Sequence, residues 1–251
     1  MNNSVLRSFT ILEYLANADT PKELGVISRD LSMNKSTVYR FLNTLEQIGY
    51  VSKDIQAGRY LLGSKVVWLA SKFLGSLDIH RLARPYLEAL AQKTGETVHL
   101  AILDDYHVIY IDKVDGKQPV QMASRVGNRM PAHSTGLGKA LLSAFGEGKW
   151  RQYVENAGLQ PFTPQTITDP EVFYRHMQIS KERGYAIDNC ENEEGIRCVA
   201  VPIVDHANRP VAALSITGWS LTLTPERYSS LAETAKETAQ LISKRLGFSA
   251  E

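Results

Sequence analysis

"SMNKSTVYRFLNTLEQIGYV", residues 32–51, is the stretch on which the reading of this chain turns. Val38, Phe41, Leu42, Leu45 and Ile48 recur at helical spacing and define one apolar face. Asn34 is a good N-cap, and Gly49 stands where a helix ends on glycine. Ser36, Arg40 and Asn43 fall opposite the stripe, with Lys35 and Tyr39 on one flank and Thr37 on the other. Taken alone, such a helix most often just covers a core, and its neighbours decide the matter. Upstream lie a short helix from about Val26 to Leu31 and the turn "SMN". Before those, a helix capped by Ser4 carries Val5, Phe9, Leu12 and Ala16 on one face, with Leu15 beside them, until "NADTP" breaks it. Downstream, Tyr50-Val51 and Arg59–Leu62 read as two short strands around a polar turn with Gly58.

Three helices followed by a basic hairpin are the layout of a winged helix-turn-helix, whose third helix enters the major groove of DNA with its N-terminal residues at the base edges. On this reading Asn34, Lys35, Ser36, Thr37, Tyr39, Arg40 and Asn43 face double-stranded operator DNA. Arg40 suits guanine, Asn43 adenine, and Tyr39 or Thr37 a thymine methyl, whereas Lys35 and Ser36 suit phosphate. Lys53 and Arg59 of the hairpin reach phosphates beside the groove. The charge agrees: residues 1–75 hold nine Lys/Arg against six Asp/Glu, and residues 76–251 hold 19 against 21.

The bulk composition is that of a soluble globular protein, 43% hydrophobic and 22% charged over 251 residues, long enough for two domains. The amphipathic N-terminus carries no cleavage signature, and no apolar run is long enough to span a bilayer. Two cysteines, Cys190 and Cys198, suit a reducing compartment, so a cytoplasmic location without membrane contact is expected. No cofactor motif is found.

After the hairpin, a helix from Ser64 to about Leu74 carries Val67, Trp68, Leu69, Ala70, Phe73 and Leu74. That stripe is too oily to stand free; it packs on its own chain or on a second copy, and the second copy is favoured because palindromic sites need two-fold readers. A further helix runs from Ile79 to Lys93. Strands are expected at "TVHLAILDD" (97–105), "HVIYIDKVDG" (107–116), "VQMASRVG" (120–127), "YAIDN" (185–189), "RCVAVPIVD" (197–205) and "PVAALSITG" (210–218). Helices are expected near Gly136, over Pro170–Arg183, and from Thr224 to about Leu246. In "RVGNRMPAHSTGLGKALL" the amides of Ser134 to Gly138 stand free at a helix start, a place that attracts carboxylate or phosphate. A plain tight turn explains the same glycines, and the spacing is not that of a P-loop.

"NKSTVYRFLNTLEQIGYV", "MPAHSTGLGKALL", "ENEEGIRCVAVPI" and "AALSITG" occur in the order found in the IclR family of bacterial transcription regulators, which the chain resembles over essentially its whole length. The recognition helix, "SRVG" and "NEEGIRC" look most like the branch repressing 2-keto-3-deoxygluconate and pectin-breakdown genes. The resemblance implies a multi-domain chain: an all-α winged helix-turn-helix domain over 1–63, a linker helix over 64–76, and an α+β GAF-like effector domain over 77–251. It further implies self-association as dimers or tetramers, and a small organic-acid effector held by Gly136, Leu137, Asp188, Cys198, Ser215 and Thr217. Ser215 and Thr217 stand two apart on a strand, so their hydroxyls share a side. Arg125 and Arg129 suit either the anion or a subunit contact. The chain departs from the family at Gly25, a weak cap for the second helix, and at Ser32, in a turn often held by glycine.

Two other functions start from Cys198. A thiol enzyme would use it with His133 and Asp188, or with Cys190 as resolving thiol. A metal sensor would use Cys190, Cys198, His133 and His99, although C-x₇-C is not a standard zinc spacing. Both weigh little beside a non-enzymatic regulator.

Overall fold

The computed structural model describes residues 3–54, 57–76, 78–117 and 124–248. The chain divides into two compact units, residues 1–76 and 77–251.

In the first unit α1 (Asn3–Ala16), α2 (Leu24–Asp30) and α3 (Lys35–Gln47) close on a core of Ile11, Leu15, Ile27, Val38, Leu42 and Leu45. Strands β2 (Val51–Asp54) and β3 (Arg59–Leu62) form the hairpin, and a two-residue β1 (Lys22–Glu23) completes a three-stranded sheet in the order β1-β3-β2. Val51 and Tyr60 press the hairpin onto the helical core. The unit is thus the expected winged helix-turn-helix, with local corrections. The buried face of α1 is Ile11 and Leu15, with Leu12 packed against them; Val5 and Phe9 are exposed, as is Ala16. Ser4 lies inside α1. Gly25 is not a cap, because α2 starts at Leu24 with Glu23 before it. Ile48 is the C-cap of α3 and half exposed, so it does not continue the stripe. Ser32 does adopt the left-handed conformation, at φ 52°, that favours glycine.

Helix α4 (Lys65–Ser76), the expected linker, falls in the first unit and presents Val67, Trp68 and Leu69 to solvent, at 71%, 54% and 50% exposure. The side chains of Phe73 and Leu74 lie outside the described residues.

The second unit is built on a six-stranded antiparallel sheet in the order β6-β5-β4-β9-β8-β7. Its strands are β4 (Thr97–Asp104), β5 (His107–Val114), β6 (Arg129–Pro131), β7 (Ala186–Asn189), β8 (Ile196–Val204) and β9 (Pro210–Trp219). Helix α6 (Gly136–Phe145) lies on one face, where Leu137, Ala140 and Leu141 meet Ala101, Val108, Tyr110, Ala186, Ala200 and Ala213. Alanine at four of those six positions lets the helix approach closely. Helices α7 (Glu147–Ala157) and α8 (Pro170–Arg183) extend that layer through Trp150, Tyr153, Phe173 and Met177. Helices α5 (Asp78–Thr94) and α9 (Tyr228–Arg245) pack together and against the sheet. Residues 120–123 of the expected third strand lie outside the described residues; 124–127 are not strand, and Gly127, at φ 92°, turns the chain into β6 instead. The closing helix proper begins at Tyr228, after a 3-10 turn over Pro225–Arg227. Among the described residues no helix is long and apolar enough to cross a membrane.

Candidate functional site

On α3 the buried side is Val38, Leu42 and Leu45, which fixes what the opposite side shows. Lys35, Ser36, Tyr39, Arg40 and Asn43 are exposed, and Thr37 is half-buried. Asn34 stands at the N-cap with extended backbone, but its side chain makes no capping bond. Of the hairpin cations, Lys53 lies over the Tyr60 ring at 5.4 Å and is exposed. Arg59 is turned instead toward Glu23, 3.4 Å away, a solvent-exposed pair of little strength that phosphate can displace.

The second site is assembled by strand register. Asp188 pairs with Cys198, and Cys198 with Thr217, so three strands set these side chains in one row. In the next row Ala186, Ala200, Ser215 and His99 follow one another across β7, β8, β9 and β4. The two rows floor a cavity of about 100 Å³ whose roof is Thr135, Gly136 and Leu137 at the start of α6, with Tyr110, Met130 and Asn192 among its walls. All six residues that the family resemblance assigned to the effector therefore line one cavity. His99 and Tyr110 were not assigned to it, because their places depend on strand pairings that spacing along the chain does not reveal, and Asn192 joins them from the loop after β7.

Two glycines of "STGLGK" do different work. A Cβ on Gly138 would lie 2.3 Å from the Ala132 backbone, so nothing larger fits there. A Cβ on Gly136 would meet the Cβ atoms of Cys198 at 3.2 Å, Ala200 at 3.4 Å and Asp188 at 3.7 Å, so its hydrogen keeps the helix start open to the polar row. The Thr135 hydroxyl accepts from the Gly138 amide at 3.2 Å, and the Thr135 carbonyl accepts from Lys139. The amides of Gly136 and Leu137 find no acceptor among the described residues, so the positive end of the helix faces the cavity.

The polar row is buried and largely uncharged. Ser215 and Thr217 oxygens are 3.3 Å apart, and the Thr217 hydroxyl also donates to Cys198 Sγ at 3.3 Å. His99 contacts Thr217 through Nδ1 (3.3 Å) and Ser124 through Nε2 (2.9 Å); burial holds it down to about 3, so it is neutral. Burial raises the Cys198 thiol well above its ordinary value. Asp188 is pushed up to about 7, chiefly by burial, although Lys139 and the amide of Glu191, which donates to Asp188 Oδ1 at 2.7 Å, act in the other direction. Lys139 itself is fully buried and ion-paired with Glu191.

These contacts do not support the alternatives built on Cys198. A thiol held protonated is a poor nucleophile, and His133 is bonded to the Tyr153 hydroxyl and the Gln160 carbonyl rather than to Cys198. Both ring nitrogens of His99 are engaged, and no group of three or more His, Cys, Asp or Glu among the described residues is arranged to hold a metal ion. Arg125 and Arg129 do not line the cavity; Arg129 reaches Asp104 at 3.4 Å.

A winged helix-turn-helix with an exposed polar face on its third helix, beside a separate α+β unit with a polar cavity, fits a one-component transcription regulator. Residues 4–54 match the IclR helix-turn-helix domain, and residues 71–244 match the family described as bacterial transcriptional regulator IclR C-terminal. The chain belongs to the IclR family of transcriptional regulators. It is similar to the HTH-type transcriptional regulator XynR of Escherichia coli (35% identity, covering 98% of each chain) and to KdgR of the same organism (36%, covering 98% of this chain and 93% of that one). An IclR homolog from Microbacterium hydrocarbonoxydans, solved in complex with 4-hydroxybenzoate, superposes with TM-score 0.84 at 26% identity, over 97% of this chain and 99% of that one. These relatives are regulators, and the chain is read as a DNA-binding regulator rather than an enzyme.

Proposed function

We propose that residues 1–63 read a palindromic operator, that 64–76 pair two copies, and that 77–251 hold a small keto or sugar acid, such as 2-keto-3-deoxygluconate, that controls repression. The observation that carries the proposal is the cavity under α6: two free amides above a row of buried polar side chains. The amides suit the effector's carboxylate, Ser215 and Thr217 its carboxylate or keto oxygen, and Asp188 a sugar hydroxyl. The organic acid in the Microbacterium homolog supports that class, and the resemblance of "SRVG" and "NEEGIRC" to the 2-keto-3-deoxygluconate branch suggests the example. Dimer or tetramer formation is supported by the uncovered Val67, Trp68 and Leu69 of α4 and by Val5, Leu6 and Phe9 of α1. Two apolar strips of this kind are what a two-fold interface buries. A coupling of about 1–3 kcal/mol between cavity and operator gives a roughly 5–150-fold change in DNA affinity.

A paired experiment tests both halves by DNA mobility shift. Arg40→Ala is expected to lose about 1–3 kcal/mol of discrimination at one base pair. Lys53→Ala is expected to weaken all sequences alike and to lower the salt slope by about 0.9. Asp188→Ala and Ser215→Ala are expected to bind operator and ignore the effector. Parental behaviour in the first two variants refutes the groove assignment; normal response in the last two refutes the pocket.

A further inference from the structure

Resting on the organic-acid reading above, we propose that the cavity selects acids carrying a single carboxylate, that Asp188 is a neutral hydrogen-bond donor when such an acid is bound, and that dicarboxylates are excluded. The argument begins with a charge inventory of the wall. Its ionisable carboxylates are Asp188 and Glu193, and no Lys or Arg lines it among the described residues. The undescribed stretch 118–123, "QPVQMA", contains no charged residue, so it adds none. The histidine on the wall, His99, is neutral and hydrogen-bonded at both nitrogens. The nearest buried cation, Lys139, does not line the cavity and is committed to Glu191.

On the wall itself positive potential comes from the Gly136 and Leu137 amides at the start of α6, with the fractional charge of a helix end behind them, while Lys139 lies behind the wall in its pair with Glu191. Two amides match the two oxygens of one carboxylate. A second carboxylate would find no Lys or Arg on the wall and would stand with Asp188 opposite, and a desolvated charge without a partner is unfavourable. Even a single bound carboxylate repels an ionised Asp188, and the repulsion is removed when Asp188 takes up a proton and donates it to an oxygen of the ligand.

Charged and titratable groups face Asp188 from several elements. Lys139 reaches it from α6, Glu191 from the following loop, Cys198 from β8, Tyr110 from β5 and Tyr228 from the start of α9. Burial raises Cys198, Tyr110 and Tyr228 and so keeps them protonated, whereas Asp188 lies near 7. The sign follows: acid affinity is full below that value and falls as the pH rises through it.

The test is calorimetric titration of the full chain with three matched pairs that differ by one carboxylate: lactate and tartronate, pyruvate and oxomalonate, gluconate and glucarate. At pH 7 the monoacid of a binding pair is expected to bind at least tenfold more tightly than its diacid. Between pH 6 and pH 8 its affinity is expected to fall about tenfold, and Asp188→Asn, which cannot ionise, is expected to reduce that ratio below twofold. A diacid binding as tightly as its monoacid, or a pH ratio unchanged in Asp188→Asn, overturns the inference while leaving the organic-acid reading in place. Failure of all six acids to bind refutes that reading, and the inference with it.

Discussion

The recognition face of α3 and the cavity under α6 are opposite solutions to molecular recognition. The first is one helix whose long side chains Lys35, Tyr39 and Arg40 are exposed and, on the proposal above, meet a partner that brings most of the charge. The second gathers short, mostly buried side chains from four strands and uses the backbone of a fifth element. The difference predicts how each will fail. A surface reader loses affinity contact by contact, because neighbouring residues do not depend on the one removed. A buried chamber fails as a unit, because its polar groups satisfy one another.

The largest expected effect comes from cutting the ion pair behind the chamber. Lys139→Met leaves Glu191 buried and unpaired and is expected to cost about 3–5 kcal/mol in urea unfolding. Adding Glu191→Gln should recover most of it. If the single variant is as stable as the parent, the chamber does not behave cooperatively. A smaller change separates folding from sensing. Gly136→Ala brings a Cβ to 3.2 Å from that of Cys198, which is expected to cost only about 1 kcal/mol while abolishing effector response. Unliganded operator binding, measured in parallel, should stay at the parental level. The smallest effect belongs to the reading head. Ser32→Gly relieves the φ of 52° and is expected to stabilise that unit by about 0.5 kcal/mol, with DNA affinity unchanged.

The same contrast explains what could be read in advance. Helix α3 and its hairpin follow from local periodicity, because one element supplies both the buried stripe and the displayed face. Helix α1 misled, since its apolar residues populate two faces and only one of them is covered in the chain, by Ile11 and Leu15. Helix α7 was missed: "EGKWRQYVENA" is mostly polar, and its burial rests on Trp150 and Tyr153. In the chamber, "STGLGK" and "SIT" were visible as motifs, and the resemblance to the family assigned their role. His99 escaped because it meets Thr217 only through the pairing of β4 with β9, 118 residues apart. Nothing along the chain marks that neighbour.

One wall of the chamber has a further consequence. The carbonyls of Cys190 and Glu191 are gripped by the hydroxyls of Thr163 and Thr166, and Cys190 is held at a φ of 61°. The same four-residue bend that carries Asp188 is therefore pinned from behind by the connector between α7 and α8. A guest of the wrong outline finds no yielding side there: it is turned away, or it must shift the connector as well. Tolerance for ill-fitting metabolites should be narrow for reasons of stiffness alone, whatever their chemistry.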